Sequence, residues 1–459
     1  MFAPEFIMDK ETIMALIAKK KSAGLGPFPF SFYNEHMRFP RDIEYLTADS
    51  VDDWKEAGFT FGQTPRFDID CKESVEAIKK ILARAGELDI KVVLTPNFDR
   101  WATEEVIRRD YPVLVEQTYS TFKDFPAVYG MFAVDEPGSP ERHKLAIEMV
   151  KIQKELAPTW TPFLNLLPYW EPGGLDICWK QQGFDCFSAN LDDFAKGTGL
   201  DYLSYDLYAP MKSGTQGFTN HFNCLRYYRE ASIRNKIPFR NILLTVGHFN
   251  YREPDYNALR WQMMTSIACG SSAIGWYYLY QGIHCINYRN APIDEMWHKN
   301  QGYYDLCKLQ RDFTKTYGDI FNNIVCYRTE FVNQAYGSDP TFCPNDIIAG
   351  IETDIPHHPL LIGYFTDVED KKYVMIVNNT PEKDGSVKIR VTFHGNEEVQ
   401  PMSCDNGEFV RYGYICNNEL LIDGNKVYEY WLAPGQEVLI RVDSEKATNA
   451  KAIIPPMVR

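Results

Sequence analysis

Between residues 25 and 320, apolar runs of strand length alternate with segments whose apolar residues recur at helical spacing. The strand-like runs are Gly26–Tyr33, Phe59–Phe67, Ile90–Asn97, Val128–Asp135, Pro162–Leu167, Leu200–Tyr208, Asn241–His248 and Ser272–Tyr280. Helices are expected at Ala48–Gly58, Glu73–Leu88, Thr103–Phe122, Pro140–Leu156, His221–Asn235, Asn257–Cys269 and Tyr303–Phe321. Val75, Ile78, Ile81 and Leu82 lie on one face of the second of these, the 3.6-residue period of an amphipathic helix. Near-continuous apolar strands separated by helices indicate a parallel sheet covered on both faces. Such units in succession predict a (β/α)8 TIM barrel rather than a doubly wound sheet. No GxGxxG and no GxxxxGK[ST] follows any strand, so the usual dinucleotide and P-loop signals are missing.

From about Asn322 the texture changes to short alternating segments punctuated by Gly, Asn and Asp. Leu360–Phe365, Lys372–Val377, Ser386–Phe393 and Glu437–Val442 read as strands of an antiparallel β-sandwich. The expected organisation is an N-terminal extension (1–24), an α/β barrel (25–321), a C-terminal β-sandwich (322–445) and a tail (446–459).

One strand stands out. Val128-Tyr-Gly-Met-Phe-Ala-Val runs into Asp135-Glu136-Pro137, and proline cannot continue a β-ladder. Burying two acids in a sheet is costly, so the pair belongs where the strand emerges into a cleft. In a barrel, the residues that follow the strands face one another across a single mouth. Here they include Tyr33, Asn34, Glu35, Arg66, Asp68, Asp70, Asn97, Asp99, Arg100, Trp101, Asp135, Glu136, Tyr169, Trp170 and Glu171. Asp206, Tyr208, His248, Asn250, Trp276, Tyr278 and Tyr280 complete the set, with Glu253 just beyond. Carboxylates with exposed aromatics suit sugar recognition, the rings stacking on C–H faces while Asp, Asn and Arg bond the hydroxyls. Two carboxyl groups flanking a glycosidic bond can cleave it. Glu136 is the expected acid, because like charge beside it raises one pKa of the pair. Structural readings stand beside these: Trp276 and Tyr278 as upper-layer filling, His248 as a core histidine, and Arg66 as a clamp on a neighbouring Asp.

Composition narrows the partners. Charged residues make up 24% of the 459 and the net charge is −14, which argues against nucleic acid. Lys19-Lys20-Lys21, the single basic run, reads as a solvated helix end. No apolar stretch approaches the ~18 residues of a membrane span. The N-terminus lacks a signal-peptide pattern, so the chain is expected to be cytoplasmic, or exported if a leader has been trimmed. Eleven cysteines without CxxC spacing read as reduced thiols, and no metal or cofactor is expected. Nothing in the sequence speaks to the oligomeric state.

The barrel resembles a glycoside hydrolase of the large clan that includes the β-galactosidases and cellulases. The resemblance rests on the carboxylates ending strand four and on the aromatic-rich strand closing in Asp135-Glu136-Pro137. It is nearest a poorly characterised bacterial group with that strand end and a sixth strand like Leu203-Ser-Tyr-Asp-Leu-Tyr208. It implies hydrolysis of glycosidic bonds in an oligo- or polysaccharide, with Glu136 as acid/base and Tyr33, Arg66, Asn97, Trp101, Asp135, Trp170, Tyr208, His248, Trp276 and Tyr278 around the sugar. The clan keeps its nucleophilic Glu at the end of strand seven, whereas this chain has Gly247-His-Phe-Asn250 there. The second carboxylate is therefore Asp206, or Glu253 folded back by its loop. A further wiring, Asp135 as nucleophile with Asp206 as acid, resembles α-galactosidases. Two rival readings remain: a barrel that binds carbohydrate without cleaving it, and a metal-dependent hydrolase.

Overall fold

Short parallel strands build the first part of the chain: β1 (Phe30–Phe32), β2 (Phe61–Gln63), β3 (Lys91–Leu94), β4 (Val128–Asp135), β5 (Thr161–Asn165), β6 (Leu203–Asp206), β7 (Phe239–Leu244) and β8 (Ile274–Tyr277). The computed structural model describes residues 8–34, 47–170, 183–281, 287–394, 398–410, 421–422 and 425–443. The strands form two four-stranded parallel sheets, ordered β2-β3-β4-β5 and β6-β7-β8-β1. The edges of the two sheets meet. Leu166, just past β5, bridges to Tyr205 of β6, its N–H donating to the Ser204 carbonyl at 2.8 Å. At the other seam the Thr60 N–H, just before β2, donates to the Phe30 carbonyl at 2.9 Å.

The helices are α1 (Lys10–Ser22), α2 (Ser50–Ala57), α3 (Lys72–Glu87), α4 (Glu104–Phe122), α5 (Pro140–Leu156), α6 (Phe187–Thr198), α7 (Phe218–Asn235), α8 (Tyr256–Ala268), α9 (Gln301–Tyr317) and α10 (Ile320–Asn323). Their starts follow from local chemistry. Ser139 accepts the Arg142 N–H while Pro140 presets the first turn of α5, and Asp255 caps α8 through the Ala258 N–H. Helix α6 is not among the helices expected from the sequence. Its buried Phe187, Leu191, Phe194, Ala195 and Thr198, closed by left-handed Gly199, carry the helical period. Residues 171–182, with Glu171, lie outside the described residues, as do Glu35 and the expected tail. No helix among the described residues is long and apolar enough to cross a membrane.

The C-terminal strands form two antiparallel sheets. One contains β9 (Val325–Val332), β11 (Leu360–Thr366), β12 (Lys372–Asn378), β14 (Glu398–Pro401) and β17 (Glu437–Asp443). The other contains β10 (Ile348–Thr353), β13 (Val387–Phe393), β15 (Leu421–Ile422) and β16 (Asn425–Leu432). Between them Ile362, Tyr364, Ile376, Ile389, Val391, Leu432 and Ile440 share one core. The five-stranded sheet buries its other face too. Leu361, Phe365, Tyr373, Met375, Val377 and Leu439 join the core of the α/β part, so Leu360–Phe365, expected to alternate, is instead apolar and buried on both faces. Backbone approaches closely here: a Cβ on Gly363 would lie 2.2 Å from the Ala268 carbonyl oxygen at the end of α8. Trp261 of α8 donates its Nε1 to Asn379 at 2.9 Å, and Arg229 of α7 is buried against Thr329 and Asp339.

Gly363→Ala is expected to destabilise the protein by about 3 kcal/mol, because a backbone carbonyl cannot swing aside as a side chain can. Urea unfolding followed by fluorescence measures it; an unchanged midpoint would mean that the helix and sheet can part without cost.

Candidate active site

β4 carries an extra residue against β5: Phe132 pairs with Phe163 but Val134 with Leu164, leaving Ala133 between them. Such a bulge shifts which side chains face inward and sets Asp135 opposite Asn165, the last residue of β5. The chain then turns through Glu136 at φ +42°, a left-handed conformation costly for a residue with a side chain. The Glu136 N–H, donating to the Asn165 carbonyl at 3.0 Å, holds that turn. Pro137 follows at once, as the sequence suggests.

Asn165 is the keystone, and sequence reading passed over it. Its Nδ2 donates to Asp206 Oδ1 at 2.6 Å and, more weakly, to Asp135 Oδ1 at 3.4 Å. Asp206 also receives a hydrogen bond from the Tyr208 hydroxyl and shares one with the carboxyl of Glu136. Two carboxyl groups bond to each other only if a proton lies between them. Burial pushes the Asp206 carboxyl above the ordinary carboxylate range, opposed by the bonds from Asn165, Glu136 and Tyr208. The same surroundings drive the Tyr208 hydroxyl far above 10, burial first and the charge of Asp206 second.

An aromatic wall flanks the acids. Tyr208 stacks on Tyr277 with centroids 5.1 Å apart, and the Tyr277 hydroxyl meets that of Tyr288 at 2.9 Å. Tyr288 in turn stacks on His248 at 5.0 Å, nearly parallel. Tyr251 packs against both Tyr208 and His248. Tyr33 is buried, edge-on to Phe132 and 6.3 Å from Tyr277. His248 is thus buried and in ring contact with the wall, as its reading as a core histidine has it.

β8 corrects the expectation at alternate positions. Trp276 is fully buried and its Nε1 donates to Gln310 of α9 at 3.2 Å, so its indole belongs to the helix layer and not to the mouth. Tyr280 likewise turns away, its hydroxyl accepting from Trp54 Nε1 of α2 at 2.6 Å. Tyr277, between the residues chosen, is the one facing Tyr208. Tyr278 is buried, 5.2 Å from the Tyr288 ring.

Other expected residues stand apart from the carboxyl pair. Glu253 does fold back onto the end of β7, its Cγ 2.6 Å from where a Cβ on Gly247 would be. There it is ion-paired with Arg289 Nε at 3.2 Å and remains about half exposed. Arg66 is partly buried in the loop after β2, and Asn97 is exposed after β3, tied through its backbone N–H to the Phe67 carbonyl. Trp101 is 60% exposed, with the Arg142 guanidinium 5.6 Å from its ring. Trp170 packs partly buried against the core. Arg100 reaches back to the Phe132 carbonyl at the bulge, 3.2 Å away. Among the described residues no three His, Cys, Asp or Glu side chains gather as a metal site would require.

No protein-family model and no curated protein sequence matches the chain. Solved structures do resemble it. A glycoside hydrolase family 5 protein from Bacteroides vulgatus superposes with a TM-score of 0.55 at 11% identity, covering 92% of this chain and 92% of its own. Another, described only as a glycoside hydrolase, gives 0.56 at 10% identity over 92% of this chain and 93% of its own. The chain has the fold of these hydrolases. The superpositions establish the mixed α/β architecture with its antiparallel C-terminal sheets as common ground.

A carboxyl that binds its proton more tightly folded than unfolded stabilises the fold fully at pH below its unfolded value. That contribution fades as pH rises through the folded one. Asp206→Asn removes the titration. Its melting temperature should exceed that of the wild type by a margin that grows as pH rises above about 4. A margin independent of pH would mean that Asp206 is not held in a raised state.

Proposed function

We propose that this protein is a glycosidase acting on an oligo- or polysaccharide, with Glu136 as the proton donor. The observation that carries the reading is the hydrogen-bond contact between the carboxyls of Glu136, just past β4, and Asp206, the last residue of β6, beside a wall of tyrosines. We further propose that the eight strands close into a (β/α)8 barrel over residues 25–321, with a β-sandwich over 322–445. The bridges at both sheet seams support closure, and the core shared by the two C-terminal sheets supports the sandwich. On this architecture, strand C-terminal ends are where parallel barrels keep their chemistry.

The two carboxyls divide the work by how they are held. Asp206 is fixed by Asn165 and Tyr208, which suits a nucleophile or base aimed at the anomeric carbon. Glu136, on a strained turn beyond the strand, suits the partner that moves. Entering substrate takes over the Glu136–Asp206 hydrogen bond. Glu136 then donates its proton to the glycosidic oxygen while Asp206, or a water that Asp206 deprotonates, bonds to the anomeric carbon, and the glycosidic C–O bond breaks to release the alcohol carrying that proton. Opening the pair to about 5–5.5 Å gives retention of anomeric configuration, and about 6.5–9.5 Å gives inversion. Starting from contact, the smaller opening is favoured. Tyr208 and Tyr277 supply stacking surface close to the bond, and exposed Trp101, backed by Arg142, supplies an outer platform.

A second wiring is favoured by one observation: Glu253 reaches the end of β7, where the clan's nucleophile stands. Its ion pair with Arg289 would have to open first.

Glu136→Gln is expected to lower kcat on ordinary glycosidic linkages by roughly 10²–10⁴-fold. The loss should be much smaller on aryl glycosides whose leaving group needs no proton. Near-normal cleavage of ordinary linkages by the variant removes Glu136 from this role. Asp206→Asn and Glu253→Gln decide the partner, since the true second carboxylate loses turnover on both substrate types. Wild-type protein that binds oligosaccharide yet releases no product would make the chain a binding protein instead.

A further inference from the structure

At the opposite end of the parallel strands lies a cavity of about 260 Å³. Its wall is built from the strands' N-terminal ends (Tyr129 of β4, Thr161 of β5, Tyr202 before β6, Arg240 of β7) and closed by the C-terminal turn of α1. The basic run expected to be a solvated helix end is part of this wall. Lys20 is partly buried and donates to the Phe321 and Ile324 carbonyls at 3.0 and 2.8 Å, while Lys19 pairs with Asp201 at 3.2 Å. Lys154 joins them, donating to the Gly199 carbonyl at 2.6 Å.

The fourth cation is Arg240, 6% exposed, with its guanidinium 3.8 Å from the centre of the Tyr202 ring. Its Nη2 donates to the Tyr129 hydroxyl at 2.8 Å, but its buried Nη1 has no hydrogen-bond partner among the described residues. Lys19, Lys20, Lys154 and Arg240 thus face one acid in the wall, Asp201. That excess sits in a protein whose net charge is −14. A buried guanidinium N–H without an acceptor is expensive to maintain, and a planar donor fork among ammonium groups matches the oxygens of a phosphate. The volume lies just under the ~300 Å³ at which small-ligand pockets begin.

We propose that this cavity binds a phosphate group, free or as a small phosphomonoester, at a site separate from the carboxyl pair. The assignment is independent of the glycosidase reading. Calorimetric titration of the full chain with inorganic phosphate tests it, with sodium acetate and sodium chloride at matched ionic strength as controls. Saturable one-to-one phosphate binding is expected, absent with the controls, together with a melting temperature that climbs with phosphate concentration. Lys19→Gln and Lys154→Gln, at the less buried side of the wall, should each weaken binding at least about fivefold and leave any glycosidase turnover unchanged. Arg240→Lys should weaken it further, since the charge remains but the fork is lost; if that variant does not fold, the two lysine variants decide. Glycerol phosphate binding more tightly than inorganic phosphate identifies a monoester as the occupant, and weaker binding identifies the free ion. No saturable binding, equal binding of acetate, or lysine variants indistinguishable from wild type would overturn the proposal.

Discussion

Two carboxyl groups in hydrogen-bond contact carry at most one negative charge between them. That constraint organises the strand-end site. Asp206 is desolvated, so its charge needs donors, and Asn165 and Tyr208 provide them. The bulge at Ala133 brings Asp135 into register beside the same asparagine. Glu136 can reach Asp206 only by leaving β4 through a left-handed turn, whose cost is offset by the bond to the Asn165 carbonyl. One asparagine therefore fixes two acids through its side chain and orients a third through its backbone.

The sequence made the architecture legible because apolar periodicity is a local signal with few competing explanations. Helices such as Pro140–Leu156 fall where spacing and capping residues put them, and all eight parallel strands overlap the expected runs, β5 starting one residue and β7 two residues before them. Asp135 and Glu136 were legible for the same reason: charge at the end of an apolar run has to leave the sheet. Asn165 was not. It sits inside Pro162-Phe-Leu-Asn-Leu-Leu167, and a strand drawn through to Leu167 hides a polar side chain whose partners come from β4 and β6. At β8 expectation and structure differ by parity alone. Trp276, Tyr277 and Tyr278 are chemically alike in pattern terms, and only the register against β7 decides that Tyr277 faces the site while Trp276 faces α9. Long-range partners were beyond reach throughout: Arg289 for Glu253, Gln310 for Trp276, and Tyr129 for Arg240.

The two ends of the parallel strands differ in electrostatic character. The C-terminal ends gather Asp135, Glu136 and Asp206 with tyrosine hydroxyls that burial keeps protonated. The N-terminal ends gather Lys19, Lys20, Lys154 and Arg240 around a cavity. The acidic and the basic cluster thus lie at opposite ends of one set of parallel strands.

The five-stranded sheet with both faces buried has a bearing on how this chain could have evolved. A module joined to its neighbour by a polar, hydrated seam can be exchanged, duplicated or lost with little penalty. Here the seam is a layer of core: Leu361, Met375 and Leu439 are as dry as any residue beneath the α/β part, and the carbonyl of Ala268 presses directly on Gly363. Deleting the C-terminal strands would uncover the α8 surface around Trp261 and leave an apolar face open to self-association. The two parts are bound to be inherited together, and substitutions on either side of that layer can be accepted only in step with the other.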